Sequence, residues 1–329
     1  MIDPKIYSLI KVYETGNFSK AAEQLALSQP AVSQHIRALE TELNTKIFEH
    51  VGKELRVTRE GTSVIKYAKQ MVALYHNLQR ELESKKTRIR ALTIGITHTA
   101  ESNAIAESLA QYVTSHEGVS IKIQTGISAN LYDMLKHYEL DFAILEGNVN
   151  DPDCCSLMLD TDCLVVALSP EHPLASRNVI SINDLKKERL ILRLPDSSTR
   201  NLFAASLESR NLSISEFNVV LEIDNIATIK DLVRRNFGVS VLARSACLDE
   251  MKKGKIVCLP IENLGMIRQI NIVYLKTFEH LNLLQDIVRN YNESRSEARA
   301  RRRQPSPGGR WREAPDEGFP RAVGAELSS

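Results

Sequence analysis

Phe18-Ser19-Lys20-Ala21-Ala22-Glu23-Gln24-Leu25-Ala26-Leu27-Ser28-Gln29-Pro30-Ala31-Val32-Ser33-Gln34-His35-Ile36-Arg37-Ala38-Leu39-Glu40-Thr41-Glu42-Leu43 reads as two helices joined by a three-residue turn. The first helix starts after Ser19, and Glu23 is placed to act back on its start. Its Ala21-Ala22 pair offers small side chains that let two helices cross closely. The turn is Ala26-Leu27-Ser28, with Ser28 suited to an N-cap and Pro30 to the first turn of the next helix. That helix runs from about Gln29 to Leu43 and carries an apolar stripe of Val32, Ile36, Leu39 and Leu43. Ser28, Gln29, Pro30, Ser33, Gln34 and Arg37 lie at its start or off the stripe. Amides match the edge of adenine, and arginine matches guanine or a phosphate. A helix that puts its N-terminal residues into a major groove uses this layout, although a solvated polar face would look similar.

Upstream, residues 4–15 place Ile6, Leu9, Ile10 and Tyr13 on one helical face before Gly16-Asn17. Downstream, the stretches 46–50 and 54–58 read as two short strands around Gly52, a wing on which Lys53 and Arg56 would meet the backbone of a nucleic acid. Residues 59–86 then form a long helix without Gly or Pro beyond Gly61. Ile65, Ala68, Val72, Tyr75 and Leu82 make a narrow stripe widened by Met71, Leu74 and Leu78, which predicts a helix-to-helix seam between two copies.

Charge divides the chain. Residues 1–90 hold 15 Lys/Arg against 10 Asp/Glu, and residues 91–292 hold 19 against 25, so a basic front joins an acidic middle. That pattern fits a nucleic-acid-binding segment followed by a separate domain. No apolar run approaches the ~20 residues that span a bilayer, so no membrane partner is expected. Met1–Lys5 lacks the charged-then-apolar pattern of a secretion signal, and a cytoplasmic location is expected. Cys154, Cys155, Cys163, Cys247 and Cys258 form no CxxC pair and no disulfide framework. No metal site and no cofactor is expected.

Residues 1–61 resemble the winged helix-turn-helix of LysR-type transcriptional regulators. The likeness rests on Phe18-Ser19-Lys20-Ala21-Ala22, Leu25, Ser28-Gln29-Pro30-Ala31-Val32-Ser33, Ile36, Leu39-Glu40, Leu43 and Thr58-Arg59-Glu60-Gly61. His50 departs from the family, which commonly has Arg there after a Leu-Phe pair that here is Ile47-Phe48.

Beyond residue 90, apolar strands alternate with helices: 90–96, 119–123 and 141–145, then 163–168, 190–193, 219–223, 239–242 and 269–274. The alternation predicts α/β units with a largely parallel sheet. Asp141-Phe142-Ala143-Ile144, His172-Pro173-Leu174, Gly238-Val239-Ser240 and Leu242-Ala243 resemble the effector-binding half of the same family, which often has Pro where Ala243 stands. The resemblance implies a two-lobed fold similar to periplasmic binding proteins, with crossings near Asp162 and Ile267. The expected division is 1–61 head, 62–90 linker helix for dimerisation, and 91–292 effector domain. Lobe one covers 91–162 and 268–292, and lobe two covers 163–267.

Ligands in open α/β sheets sit beyond the carboxyl ends of strands. That rule selects Thr97, His98, Thr99, Thr125 and Ser128 on lobe one, and Arg193, Ser197, Ser198, Thr199, Arg200 and Thr228 on lobe two. Ser128 is also placed to cap a helix bearing Leu131, Met134 and Leu135. Hydroxyls and helix starts favour anions, and Arg193 or Arg200 would add a bidentate grip, so a small anionic metabolite is expected. The final helix is expected over about 279–291. From Glu293 the Arg299-Ala300-Arg301-Arg302-Arg303 run and the following Pro and Gly predict a disordered tail over 293–329.

The implied partners are double-stranded promoter DNA, a small-molecule effector, a second copy or a homotetramer, and RNA polymerase. One alternative keeps the fold but moves the signal to a thiol, Cys163. Another is an α/β enzyme, yet the sequence holds no glycine-rich phosphate loop, no GxSxG and no HExxH.

Overall fold

The computed structural model describes residues 2–52, 54–87, 90–101, 104–149 and 151–303. Helix α1 (Pro4–Thr15) is capped by Asp3, whose carboxylate accepts the Lys5 N–H, and ends at Gly16 with φ 61°, a conformation that suits glycine. It buries Ser8, Leu9 and Val12. Tyr13, expected on that face, is 44% exposed, with its ring 4.9 Å from the Lys69 ammonium. A tyrosine can hold this position because its ring packs while its hydroxyl stays wet.

Helix α2 (Phe18–Gln24) begins earlier than the sequence suggested. Asn17 is the cap, and its Oδ1 accepts the N–H groups of Ser19 and Lys20 at 2.8 and 3.0 Å. Glu23 therefore lies too far along to reach the helix start, and it is exposed. Helix α3 (Gln29–Glu42) is capped by Ser28, whose Oγ accepts the Ala31 N–H at 3.3 Å. Val32, Ile36 and Leu39 are buried, but Leu43 is the C-cap and stands exposed because the helix stops there. Strands β1 (Phe48–Val51) and β2 (Glu54–Val57) pair antiparallel as the wing, with Val51 opposite Glu54.

Helix α4 (Arg59–Thr87) starts under the wing. A Cβ on Gly61 would sit 2.2 Å from the Ile47 carbonyl oxygen, so only glycine lets the helix pass. Ile65 and Ala68 are buried in the core of the head. The exposed apolar stripe is Tyr67, Met71, Leu74, Leu78 and Leu82. Ile65 and Ala68 of the expected seam are consumed by the chain's own head, whereas Met71, Leu74, Leu78 and Leu82 of it stay exposed, joined by Tyr67. Three side chains of α4 hold lobe one. Gln70 donates to the Lys136 carbonyl at 2.9 Å, Asn77 to the Tyr138 carbonyl at 3.2 Å, and Arg80 to Thr93 Oγ1 at 3.1 Å.

Lobe one opens with β3 (Arg90–Thr97), α5 (His98–Glu101), α6 (Ala104–Ser115), β4 (Val119–Gly126), α7 (Ser128–Lys136) and β5 (Phe142–Glu146). Strands β4, β3 and β5 run parallel, so Gly126, Thr97 and Glu146 end at one edge. Strand β6 (Cys154–Leu168) then leaves for lobe two. There follow α8 (Ile182–Leu185), β7 (Leu190–Leu192), α9 (Ser198–Glu208), β8 (Val219–Glu222), α10 (Ile226–Arg234), β9 (Ser240–Ala243), α11 (Leu248–Lys252) and β10 (Val257–Leu259). Strand β11 (Ile267–Leu275) returns, and α12 (Leu281–Arg303) packs back on lobe one through Leu283, Leu284, Ile287 and Tyr291.

The sheet is mixed, not largely parallel: its order is β10-β6-β11-β5-β3-β4, with β9 also on β6. Strand β11 is antiparallel to β5 and β6, because the strand coming back must oppose the one that left. Strand β6 changes partners within itself. Cys154 to Cys163 face β11, whereas Leu164 to Leu168 face β9 and β10. Each lobe keeps its own core, around Ile94, Ile144 and Ile272 in one and Val166, Leu192 and Val241 in the other.

The last helix also departs from expectation. It runs to Arg303, beyond Tyr291 and into the stretch predicted to be disordered. Residues 293–303 contain only Glu, Ser, Arg and Ala, which tolerate or favour helix, and the first Pro comes at Pro305. The rest of the expected tail, residues 304–329, lies outside the described residues.

Candidate functional site

Two places gather polar groups that the core does not need. The first is the outer face of α3. With Val32, Ile36 and Leu39 turned inward, Gln29, Pro30, Gln34 and Arg37 are exposed and Ser33 is half-buried. Gln29 Nε2 donates to Ser33 Oγ at 3.0 Å, which orients the amide along the helix start. Arg37 forms no ion pair among the described residues. On the wing, Arg56 is exposed and pairs with Glu54 at 2.9 Å, an exchangeable surface contact. Lys53 lies outside the described residues.

Buried polar groups fix this face. Ser8 Oγ of α1 lies 2.7 Å from His35 Nδ1 of α3. Glu40 accepts the N–H groups of Ile47 and Phe48 and the ammonium of Lys46, which ties α3 to the wing. Burial opposes ionisation of Glu40, but the bonds from Lys46, Ile47 and Phe48 outweigh it and hold its carboxyl below the usual value.

The second place lies where the lobes meet. Thr97, at the end of β3, is buried and donates to Glu146 Oε1 at 2.7 Å. Ser198, in the first turn of α9 on lobe two, donates to the other oxygen, Glu146 Oε2, at 3.3 Å. Arg268 of β11 donates from Nη1 to Ser198 Oγ at 3.1 Å and to Thr199 Oγ1 at 3.5 Å. Its Nη2 stands 3.8 Å from Glu146 and 3.9 Å from Asp162. Asp162 is held in turn by Ser245 and by the Cys163 N–H. Strands β3, β5, β6 and β11 and helix α9 thus meet around one guanidinium.

The other candidates divide. His98 and Thr99 open α5 beside Thr97, His98 half-buried and Thr99 buried. Ser128 does not cap α7. Ile127 occupies that position, and Ser128 Oγ, one residue inside the helix, is buried without a hydrogen-bond partner. Arg193 is buried and pairs with Asp224 at 2.8 Å, while its Nε and Nη1 have no partner. Ser197 is the cap of α9, accepting the Arg200 N–H at 3.1 Å. Arg200 is committed to Glu222 at 2.8 Å and so supplies no free grip. Thr125 is exposed, and so is Thr228, whose N–H is held by Asn225. Neither Thr125, Arg200 nor Thr228 bonds to the Arg268 group among the described residues.

Glu146 and Arg268 were not selected from the sequence, although both carry signals. Glu146 ends β5 and satisfies the carboxyl-end rule. For Arg268 the sequence signal is weak, because apolar Ile267 breaks the alternation, and it is the observed burial of Met266 and Ile270 beside exposed Ile267 and Gln269 that puts the arginine on the inner face.

Three thiols, those of Cys154, Cys163 and Cys258, are held away from ionisation. Burial, with the Asp162 charge beside it, pushes the Cys163 thiol up, and the hydrogen bond shared with Cys247 together with burial raises Cys258. Among the described residues no cluster of His, Cys, Asp and Glu fits a metal ion, and no helix is long and apolar enough to cross a membrane.

Comparison with known proteins covers both places. Residues 5–62 match the family described as bacterial regulatory helix-turn-helix protein, lysR family, and residues 86–294 match the LysR substrate binding domain. The HTH-type transcriptional regulator CysL of Bacillus subtilis is 28% identical over 274 residues, covering 83% of this chain and 91% of that protein. The RuBisCO operon transcriptional regulator of Allochromatium vinosum is 27% identical, covering 80% and 88%. Among solved structures, full-length CbnR complexed with its target DNA matches with a TM-score of 0.64 at 16% identity, over 89% of this chain and 100% of that one. A full-length OxyR variant from Pseudomonas aeruginosa matches with a TM-score of 0.62 at 21% identity, over 88% and 94%.

Proposed function

The chain belongs to the lysR family of bacterial regulatory helix-turn-helix proteins and is an effector-responsive DNA-binding transcriptional regulator, and from that premise we propose which residues carry each role. Helix α3 enters the major groove of promoter DNA. Gln29, Ser33, Gln34 and Arg37 meet base edges and phosphates, Ser28 and Pro30 set the helix start, and Lys53 and Arg56 on the wing meet the backbone. The observation that carries this reading is the division of α3. Its apolar stripe is spent on the head, and its amides and arginine are left outside.

Two copies pair through the Tyr67–Leu82 stripe of α4, which supplies the two heads that an inverted-repeat site requires. A homotetramer would join two such pairs. The effector is a small anionic metabolite held between the lobes by Thr97, His98, Thr99 and Ser128 on lobe one, Ser198, Thr199 and Arg193 on lobe two, and Arg268 on the returning strand. The unused donors of Arg193 and Arg268 support an anion. Its binding shifts the lobes, which α4 grips through Gln70, Asn77 and Arg80, and so changes head spacing and access of RNA polymerase. The site of action is the cytoplasm. Raised thiols support a metabolite rather than a redox signal.

Footprinting on the promoter DNA beside the gene tests the assignment. The native protein protects a site with two half-sites, and Gln29→Ala/Ser33→Ala/Arg37→Ala together abolish protection. An unchanged footprint for that variant overturns it.

A further inference from the structure

The two charged partners at the lobe junction are mismatched in what they still need. The Glu146 side chain is 1% exposed and the Arg268 side chain 4%. Both Glu146 oxygens already accept hydroxyl protons, from Thr97 and Ser198. Both Asp162 oxygens are likewise used, by Ser245 and the Cys163 N–H. Arg268 is the opposite case. Its Nε and Nη2 have no hydrogen-bond acceptor, and the carboxylates at 3.8 and 3.9 Å are too distant to serve. A site in which every carboxylate oxygen already holds a donor, while two guanidinium nitrogens hold no acceptor, favours a ligand that brings acceptors. An oxyanion would give the planar guanidinium the acceptors that its Nε and Nη2 lack.

Glu146 sits on lobe one, Ser198 on lobe two and Arg268 on the returning strand β11. Their contacts therefore close the cleft as well as neutralise the arginine.

We propose that Glu146 is a built-in substitute for the anionic group of the effector, occupying Arg268 and Ser198 until an oxyanion ligand displaces it and thereby unties the lobes. The proposal rests on reading the cleft as an anion site and adds who holds that site beforehand. In exchange, Arg268 trades two distant carboxylates for direct hydrogen bonds. Ser198 turns its hydroxyl from Glu146 to the ligand, and Glu146 moves out of the junction. The measured affinity is then the intrinsic one multiplied by the fraction of molecules in which Arg268 is free.

Calorimetric titration of the full chain with sodium sulfate, at ionic strength held constant with sodium chloride, tests this. Glu146→Gln preserves side-chain length and an acceptor oxygen but removes the competing charge. It binds sulfate at least roughly ten-fold more tightly than the native protein. The gain disappears in Glu146→Gln/Arg268→Lys, because an ammonium cannot replace the bidentate fork. Thermal melts of all three proteins verify that each is folded. Equal affinity in the native and Glu146→Gln proteins overturns the proposal while leaving an anion cleft intact. Absence of sulfate binding in both overturns the proposal and the anion reading together, and a gain that survives Arg268→Lys overturns the assignment to Arg268.

Discussion

The Glu40 carboxylate of α3 accepts the backbone N–H of Ile47 at 2.9 Å, so one side chain joins α3 to the wing. Glu40→Ala leaves the N–H groups of Ile47 and Phe48 without an acceptor, and we expect a loss of about 1–3 kcal/mol in the stability of the head. The carboxyl is held below its ordinary value of 4.5 in the folded state, so its contribution is complete above that value and is lost as pH falls through the folded one. Urea midpoints measured from mildly acidic pH downward therefore decline on the acid side in the native protein, and that part of the decline is missing in Glu40→Gln.

Arg37 and Gln29 separate by salt. Arg37 stands exposed about two turns beyond the helix start, and as a phosphate contact it would carry part of the salt dependence. Arg37→Ala should lower the slope of log affinity against log salt by about one per head. Gln29→Ala should keep the slope, cost about 1–3 kcal/mol at the native site and relax the preference for one base pair. Anisotropy titrations at several salt concentrations distinguish the two.

The stripe of α4 predicts the oligomeric state. Leu74 and Leu78 are each about half exposed in the single chain. Leu74→Glu/Leu78→Glu places four like charges in a two-copy seam and should give monomers in sedimentation velocity. A dimer that persists in this variant places the interface elsewhere.

Gly61 tests the junction of wing and linker. A methyl group there meets the Ile47 carbonyl oxygen at 2.2 Å, a backbone atom that cannot step aside cheaply. Gly61→Ala should cost roughly 1–3 kcal/mol, the usual range for overpacking, visible as a lower melting temperature.

The head was readable from its sequence because each local signal pointed the same way. Ser28, Pro30 and the Val32–Ile36–Leu39 stripe agree on where α3 starts and which side it buries. Errors arose where two residues could do one job. Asn17 and Ser19 both suit a cap, and Asn17 took it by accepting the N–H groups of Ser19 and Lys20. On α4 the heptad pattern was visible, but it could not tell which apolar residues the head would claim. The cleft was half legible. Thr97 and Ser198 follow from the carboxyl-end rule, whereas Arg268 reaches the junction only because β11 returns antiparallel to β6 and sets it opposite Asp162. Such pairing is set by tertiary topology, and no local window reports it. Arg193 and Arg200 looked alike as grips, and only the structure reveals that Glu222 takes Arg200.

Strand β6 belongs to both lobes, giving its first ten residues to one sheet neighbourhood and its last five to the other. The lobes are consequently not exchangeable modules. A recombinant that imports residues 169–266 from a relative without the matching β6 sets the foreign β9 and β10 against a host strand whose side chains do not fit them. Grafting a new ligand preference onto this regulator therefore requires carrying the shared strand across whole, or keeping the backbone and changing only the side chains that meet at the junction.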